Sequence, residues 1–145
     1  MEFEEQEDLQ PEKPPIAIYS KWAVLGFSAF FSPIVGSVLL MLNRRATGNK
    51  KAGYLVLFFG VVYMFIAGFV LLKMTGIPLT NMTPQKLVAN PKVIYYSKAL
   101  DILGGAILAE YYFRRYFQND TYGSKSIWVP LLVMLLLNFI FGGLI

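Results

Sequence analysis

The residues most able to do chemistry lie in the third of four apolar stretches of this 145-residue chain. Lys98 and Asp101 are three positions apart, so a helix places them on one face and close enough to pair. Glu110 precedes Arg114 by four positions, the favourable order for an ion pair. Ionisable side chains inside a membrane helix are candidates for an ion or proton path, or for a polar substrate site. The candidate intramembrane polar site is therefore Lys98, Asp101, Glu110 and, from the last stretch, Asn138.

The same four residues also fit an internally neutralised network with no role in transport. Lys98 would neutralise Asp101, and Glu110 would pair with Arg114 at the membrane interface. Asn138 would form hydrogen bonds across the helix bundle. The sequence leaves both interpretations open.

The composition removes most catalytic chemistry. The chain has no histidine and no cysteine, which excludes disulfides, thiol nucleophiles, and zinc or haem sites that need these ligands. A Ser-His-Asp relay is excluded as well. Because no paired nucleophile and base can be named, we expect a protein that is not an enzyme and uses no cofactor and no metal. A lipid-handling enzyme is a disfavoured alternative.

Four apolar stretches must position these side chains. They cover about residues 22–42, 52–72, 93–113 and 127–145, and each is long enough for an α-helix to cross a hydrocarbon layer of ~30 Å. Hydrophobic residues make up 56% of the chain, which suits a bundle in lipid better than a water-soluble core. The predicted fold class is all-α: a polytopic membrane protein with four transmembrane helices packed as two antiparallel hairpins.

The third stretch is the one least able to insert alone. The second stretch contains about a dozen strongly apolar residues, each worth roughly −0.5 kcal/mol on insertion. The third contains about seven, or roughly −3.5 kcal/mol, and its central aspartate costs about 2.5 to 3.5 kcal/mol. We therefore expect contacts with neighbouring helices to stabilise this stretch in the membrane. Its inward face would carry Ser97, Lys98, Asp101, Gly105 and Ala109.

Small residues predict where helices approach each other closely, because lipid supplies little hydrophobic drive between them. Three of the stretches carry small residues at helical spacing, and each set of small residues lies on one face of its helix. We expect the first and second helices to meet along these faces. Pro33 lies in the middle of the first stretch and predicts a kink, since it lacks an N–H and obstructs the carbonyl of Ala29. The helix-packing residues are Ser28, Ser32 and Gly36, then Gly53, Gly60 and Ala67, then Gly105 and Ala109.

Charge is divided between an acidic start and a basic remainder. Six of the nine acidic residues lie in the first twelve positions, and all thirteen basic residues come after them. We interpret residues 1–20 as a disordered acidic tail, because this segment has too little apolar surface to offset the entropy of ordering it. Residues 21–145 are the predicted transmembrane domain.

The basic residues predict an orientation. The first connection carries Arg44, Arg45, Lys50 and Lys51, and the third carries Arg114 and Arg115. The positive-inside rule places both connections in the cytoplasm and both termini outside, across a bacterial inner membrane. The same six side chains are candidate contacts for anionic lipid headgroups, although orientation alone also accounts for them.

Two short motifs carry a resemblance. The pattern is Leu42-Asn43 followed by Gly48-Asn49-Lys50-Lys51-Ala52-Gly53, with Lys125-Ser126-Ile127-Trp128-Val129-Pro130-Leu131 before the last stretch. It resembles small multi-pass bacterial membrane proteins of unknown function. The resemblance implies a membrane location and carries no activity or substrate.

The sequence favours a non-enzymatic integral membrane protein, an accessory or scaffold subunit that acts through helix–helix contacts. The alternative is an oligomeric transporter or channel component for ions, protons or small solutes, using the polar face of the third helix. The expected partners are the lipid bilayer and other membrane helices, in a homo-oligomer or a larger complex. Nucleic acid is not expected, because the basic groups flank apolar runs.

Overall fold

A computed structural model of the chain describes residues 15–77, 83–117 and 121–140. The prediction of an all-α fold is confirmed: two strands of two residues each are the only other regular elements in those ranges. The helices are α1 (Lys21–Phe30), α2 (Pro33–Ala46), α3 (Lys50–Thr75), α4 (Pro84–Ala89), α5 (Pro91–Ala106), a π-helical segment (Ile107–Phe113), α6 (Arg114–Phe117) and α7 (Trp128–Ile140). The strands are β1 (Ala17–Ile18) and β2 (Gly123–Ser124).

The predicted tail only partly overlaps the described residues. Positions 1–14 lie outside them. Residues 17–18 form β1, Tyr19 is buried, and the Ser20 hydroxyl accepts a hydrogen bond from the Ala23 N–H as the cap of α1. The folded part of the chain therefore begins before residue 20.

The first apolar stretch is not one helix, and the prediction of a single helix over residues 22–42 is wrong. α1 ends at Phe30, and Pro33 begins α2 at a first-turn position. Between them Ser32 has an extended backbone with φ −171° and ψ 160°. Proline disfavours a helical conformation in the residue before it, and its missing N–H is harmless only in the first turn of a helix. The helix is interrupted here, where the sequence predicts a kink.

After the break the chain runs back on itself. The Asn43 side chain forms two hydrogen bonds of 2.8 Å with the backbone of Tyr19: its Oδ1 accepts from the Tyr19 N–H, and its Nδ2 donates to the Tyr19 carbonyl. A straight helix would separate residues 24 positions apart by ~36 Å. The helices α1 and α2 therefore form an antiparallel hairpin. We call the end at Tyr19 and Asn43 the basal end, and the turn at Phe31 and Ser32 the hairpin tip.

Small residues allow the hairpin to pack closely against its neighbours. A Cβ at Gly36 would collide with the Ser28 side chain inside the hairpin, and one at Gly60 of α3 would collide with Ser37 of α2. The Ser28 and Ser37 hydroxyls donate to carbonyls of their own helices, so their close packing leaves no buried donor unpaired.

The predicted face of Ser28, Ser32 and Gly36 is divided by the break. Ser28 belongs to α1, Ser32 to the turn and Gly36 to α2. Gly36 therefore packs against α1. The prediction that Ser28, Ser32 and Gly36 form one surface toward α3 is wrong. On α3, Gly53 lies against Met41, and Ala67 lines a cavity at the hairpin tip.

The helix over residues 91–117 covers the other side of the hairpin. A Cβ added at Gly105 would lie 2.6 Å from Ser28 Cβ, and one at Gly104 would lie 2.6 Å from both Pro33 Cγ and Tyr63 Cε1. Ala109, in the π-helical segment, is buried. Ser28 belongs to α1, Pro33 to α2 and Tyr63 to α3, so the two glycines allow α5 to pack against three helices near the hairpin tip.

The last helix is the most peripheral. Its start is held by β2, which pairs in parallel with β1, Ala17 opposite Gly123 and Ile18 opposite Ser124. None of the described residues of α7 is buried. It lies beside α1 across a cavity, with both helices beginning at the basal end. The predicted hairpin of the third and fourth stretches is not confirmed, because α7 lies beside α1.

Candidate functional site

Lys98 lies at the hairpin tip and joins α5 to the end of α1. Its Nζ donates to the Phe30 carbonyl at 3.0 Å and to the Ala29 carbonyl at 3.4 Å, and it lies 3.4 Å from Asp101 Oδ2. The last carbonyls of a helix have no partner within it, and a cation is favoured there by the helix dipole. The lysine therefore serves as a C-terminal cap for α1, supplied by another helix.

Asp101 lies beside the beginning of α2. Its side chain is 21% exposed, and it lines a cavity of about 190 Å³ together with Ser32, Pro33, Tyr63 and Ser97. The Tyr63 hydroxyl donates to the Leu100 carbonyl at 2.7 Å, which fixes α3 to α5 at this level. The first turn of a helix favours negative charge. The hairpin tip thus sets a cation at the end of α1 and a carboxylate beside the start of α2.

Glu110 does not join this site. It lies nine positions along the helix from Asp101, or about 13 Å. Its Oε1 is 2.6 Å from Lys21 Nζ, and its Oε2 is 3.1 Å from Arg114 Nε. The sequence predicted the contact with Arg114 from spacing alone and missed Lys21, which begins α1. Glu110 therefore binds α1 to the π-helical segment near the basal end.

Asn138 is separate from both groups. It lines the cavity between α1 and α7, whereas Asp101 lines the cavity at the hairpin tip. The four predicted residues therefore do not form one constellation: Lys98 and Asp101 lie together, and Glu110 and Asn138 each lie elsewhere.

Sequence reasoning missed Asn43 as well. Its side chain is buried with 1% exposure, and it closes the hairpin at the basal end. The available signal was an asparagine at the end of an apolar stretch. It carries no information about its partner unless the chain is known to reverse at Pro33.

Half of the candidate lipid-binding cations have partners within the protein. The Arg44 guanidinium carbon lies 4.4 Å from the centre of the Tyr116 ring, a cation–π distance. Arg115 Nη1 donates to the Tyr111 hydroxyl at 2.9 Å, and Arg114 pairs with Glu110. The three that lie exposed around the α2–α3 turn are Arg45, Lys50 and Lys51.

Across the three described ranges, no group of three histidine, cysteine, aspartate or glutamate side chains comes together in a way that could hold a metal ion. The ionisable groups that the structure brings together at the hairpin tip are one amine and one carboxylate. Chemically, this pair can hold a helix end, bind a cation at the carboxylate, or exchange a proton there.

No family model matches the chain, and neither a curated protein nor a solved structure matches it.

Proposed function

We propose that this chain is a small integral membrane protein in which α3, the helix over residues 91–117 and α7 cross the bilayer. The hairpin of α1 and α2 enters from the basal end and returns to it. Within the described residues, α3 is the one helix both long and apolar enough to span a membrane. Only 11% of its most apolar 18-residue segment is buried, whereas the core helix of a water-soluble protein is mostly buried.

The outer surface of the bundle supports this placement. The α3 side chains of Phe58, Phe65 and Phe69 are 68%, 70% and 62% exposed. Large aromatic side chains at such exposure, repeated along one helix, form an apolar patch well beyond what monomeric soluble proteins present to water. Lipid is the environment in which this surface has no free-energy cost.

The charges support an orientation with the basal end in the cytoplasm. Arg44, Arg45 and Arg114 lie at the ends of helices that meet there, and the positive-inside rule places such residues on the cytoplasmic side. Because the Tyr19 backbone is hydrogen-bonded to the Asn43 side chain, the start of α1 lies on the same side of the membrane as the end of α2. In a bacterial inner membrane this orientation puts the amino terminus in the cytoplasm, whereas the sequence alone predicts an external amino terminus.

Within the membrane, we infer a non-enzymatic accessory or scaffold protein that acts through helix–helix contacts. The observation that carries this inference is the position of Lys98, whose ammonium fastens α1 to α5 and neutralises Asp101. Lys21 and Glu110 join α1 to the π-helical segment near the basal end. The polar groups of the bundle thus hold helices in place, and the outer faces of α3 and α7 are left for contact with other membrane helices.

A second candidate is a component of an ion or proton path. It is favoured by the cavity of about 190 Å³ beside Asp101, at a point where two half-helices end. Broken helices place their ends at ion sites in many transporters. This function requires a homo-oligomer or a partner, because so few helices do not enclose a path alone.

Flux measurements in liposomes separate the two functions. The variants are Asp101→Asn and Lys98→Met, singly and together, with Lys73→Met at the far end of α3 as the control. A scaffold shows no flux in any of them, and the double variant loses less stability than the two single variants lose in sum. Flux of the unaltered protein that depends on pH and vanishes in folded Asp101→Asn would contradict the scaffold and support the path.

A further inference from the structure

An apolar cleft lies between α1 and α7. Its volume is about 630 Å³, within the range of sites that bind small molecules. It runs from Ser20 and Ile127 near the basal end to Phe30 and Asn138 toward the hairpin tip. Apart from Ser20 and Asn138, the residues that line it are apolar.

The length of the cleft matches one leaflet of a bilayer. Because α1 has ten residues, it is ~15 Å long. This is half of the ~30 Å hydrocarbon layer. A continuous first helix would have crossed both leaflets, whereas the hairpin gives the cleft the depth that a single acyl chain occupies.

Polar and basic residues lie near the basal end of the cleft. A second cavity, of about 340 Å³, shares Ser20 with the cleft and adds Lys21 and Ser124. Lys125 follows directly, with its Nζ 4.8 Å from the centre of the Tyr19 ring. In the described ranges Lys125 forms no ion pair with a carboxylate, whereas Lys21 is paired with Glu110. Among the described residues, Lys125 therefore offers an anionic headgroup an ammonium group that no carboxylate pairs with.

We propose that the cleft binds one anionic phospholipid from the basal leaflet. An acyl chain lies along α1 and α7, and the phosphate lies beside Lys125 and Ser20. The proposal rests on the membrane placement given above, with the basal end in the cytoplasm, where anionic lipids supply the negative surface potential. The bound lipid fills the gap that separates α7 from the hairpin, so it completes a bundle in which α7 buries no described residue of its own.

Fluorescence of Trp22 tests the site directly, because this residue lines the cleft and the chain has only two tryptophans. The full chain carrying Trp128→Phe is delipidated in detergent micelles. It is then titrated with phosphatidylglycerol or phosphatidylcholine brominated on the acyl chains, which quench a tryptophan in contact with them. We expect quenching that saturates at one lipid per protein. Phosphatidylglycerol should reach half-saturation at about a fivefold lower fraction, as expected for one lysine near an anionic headgroup.

Two matched pairs of variants assign the effect to the cleft. A Cβ at Gly26, which lines the cleft, meets no atom within 4 Å, so Gly26→Phe fills the cleft without a backbone clash. Gly68→Phe on α3 is equally unobstructed at its Cβ and lies outside the cleft. Lys125→Gln removes the amine over Tyr19, and Lys73→Gln removes one over the Phe69 ring at the far end of α3.

We expect Gly26→Phe to abolish the saturable quenching and Lys125→Gln to remove the roughly fivefold preference for phosphatidylglycerol, with both controls unchanged. Quenching that rises linearly with lipid and is equal for both lipids would overturn the site. So would saturable quenching that survives in Gly26→Phe. A chain that stays dissolved and monodisperse without detergent would instead contradict the membrane placement, which keeps the two failures distinguishable.

Discussion

Asn43 binds both backbone groups of Tyr19, a residue 24 positions earlier, and this relationship decides the topology of the molecule. It brings the end of α2 back to the start of α1. The first apolar stretch therefore enters and leaves at one end of the bundle. It also places the only strand pair of the described residues and the Lys21–Glu110 contact near that end.

Replacing Asn43 should weaken the hairpin. In Asn43→Leu the buried N–H and carbonyl of Tyr19 lose their partners, and we expect the free energy of unfolding to fall by about 2–4 kcal/mol. The control is Asn49→Ala, which removes only the cap of α3 and should cost about 1 kcal/mol. The measurement is unfolding in mixed detergent and SDS micelles, followed by circular dichroism. Equal losses in the two variants would contradict the special position of Asn43.

Single cysteines test on which side the hairpin begins. The chain has none of its own, so Ile16→Cys, Thr47→Cys and Gln85→Cys can be labelled one at a time in sealed vesicles with a reagent that does not cross membranes. We expect Ile16→Cys and Thr47→Cys to react from the same side, and Gln85→Cys on α4 from the other. Labelling of Ile16→Cys and Thr47→Cys from opposite sides would show that the first stretch crosses the membrane after all.

Lys98 should contribute more to stability than Asp101. Lys98→Met leaves the Ala29 and Phe30 carbonyls and the Asp101 carboxylate without their cation, and we expect a loss of about 1–3 kcal/mol. Asp101→Asn leaves the lysine on both carbonyls and should cost less. The double variant gives the coupling energy between the two, expected at about 0.5 kcal/mol or more. Lys92→Met, exposed at the start of α5, is the control. A coupling near zero would show that the two residues act independently.

Two glycines provide an opposite pair of tests. A Cβ at Gly104 would lie 2.6 Å from both Pro33 Cγ and Tyr63 Cε1, so Gly104→Ala forces the hairpin tip apart and should cost about 1–3 kcal/mol. A Cβ at Gly68 meets nothing within 4 Å. Gly68→Ala should therefore stabilise α3 by up to about 1 kcal/mol, since alanine favours a helix over glycine. Thermal unfolding of both variants in detergent is the measurement, and a stabilised Gly104→Ala would contradict the packing at the tip.

Several local features followed from the sequence. The short helix α4, at residues 84–89, lies between Thr83-Pro84 and Asn90-Pro91, which are local signals for the start and the end of a helix. Spacing of three and four residues predicted the contacts of Lys98 with Asp101 and of Glu110 with Arg114. Such features depend on neighbours within one helical turn, so the chain order contains all the information they need.

Contacts between distant residues could not be obtained in this way. Lys21 lies 89 positions from Glu110, and Lys98 lies 68 positions from Phe30. Each pair exists because the hairpin folds α1 against the helix over residues 91–117. If the first stretch were one continuous helix, Asp101 would be the evident partner of Lys98, and the Ala29 and Phe30 carbonyls would be bonded within that helix.

The sequence by itself determined the helical class, the apolar character of the helices, and the chemistry that a chain without histidine or cysteine cannot do. Proline at position 33 determined that the first helix is interrupted, because the missing N–H and the steric conflict are local. Only the tertiary structure decided between a kink and a reversal. Both satisfy the local constraint, and the choice depends on whether Asn43 binds the Tyr19 backbone and whether Gly36, Gly60 and Gly105 allow α1, α2, α3 and α5 to pack closely together.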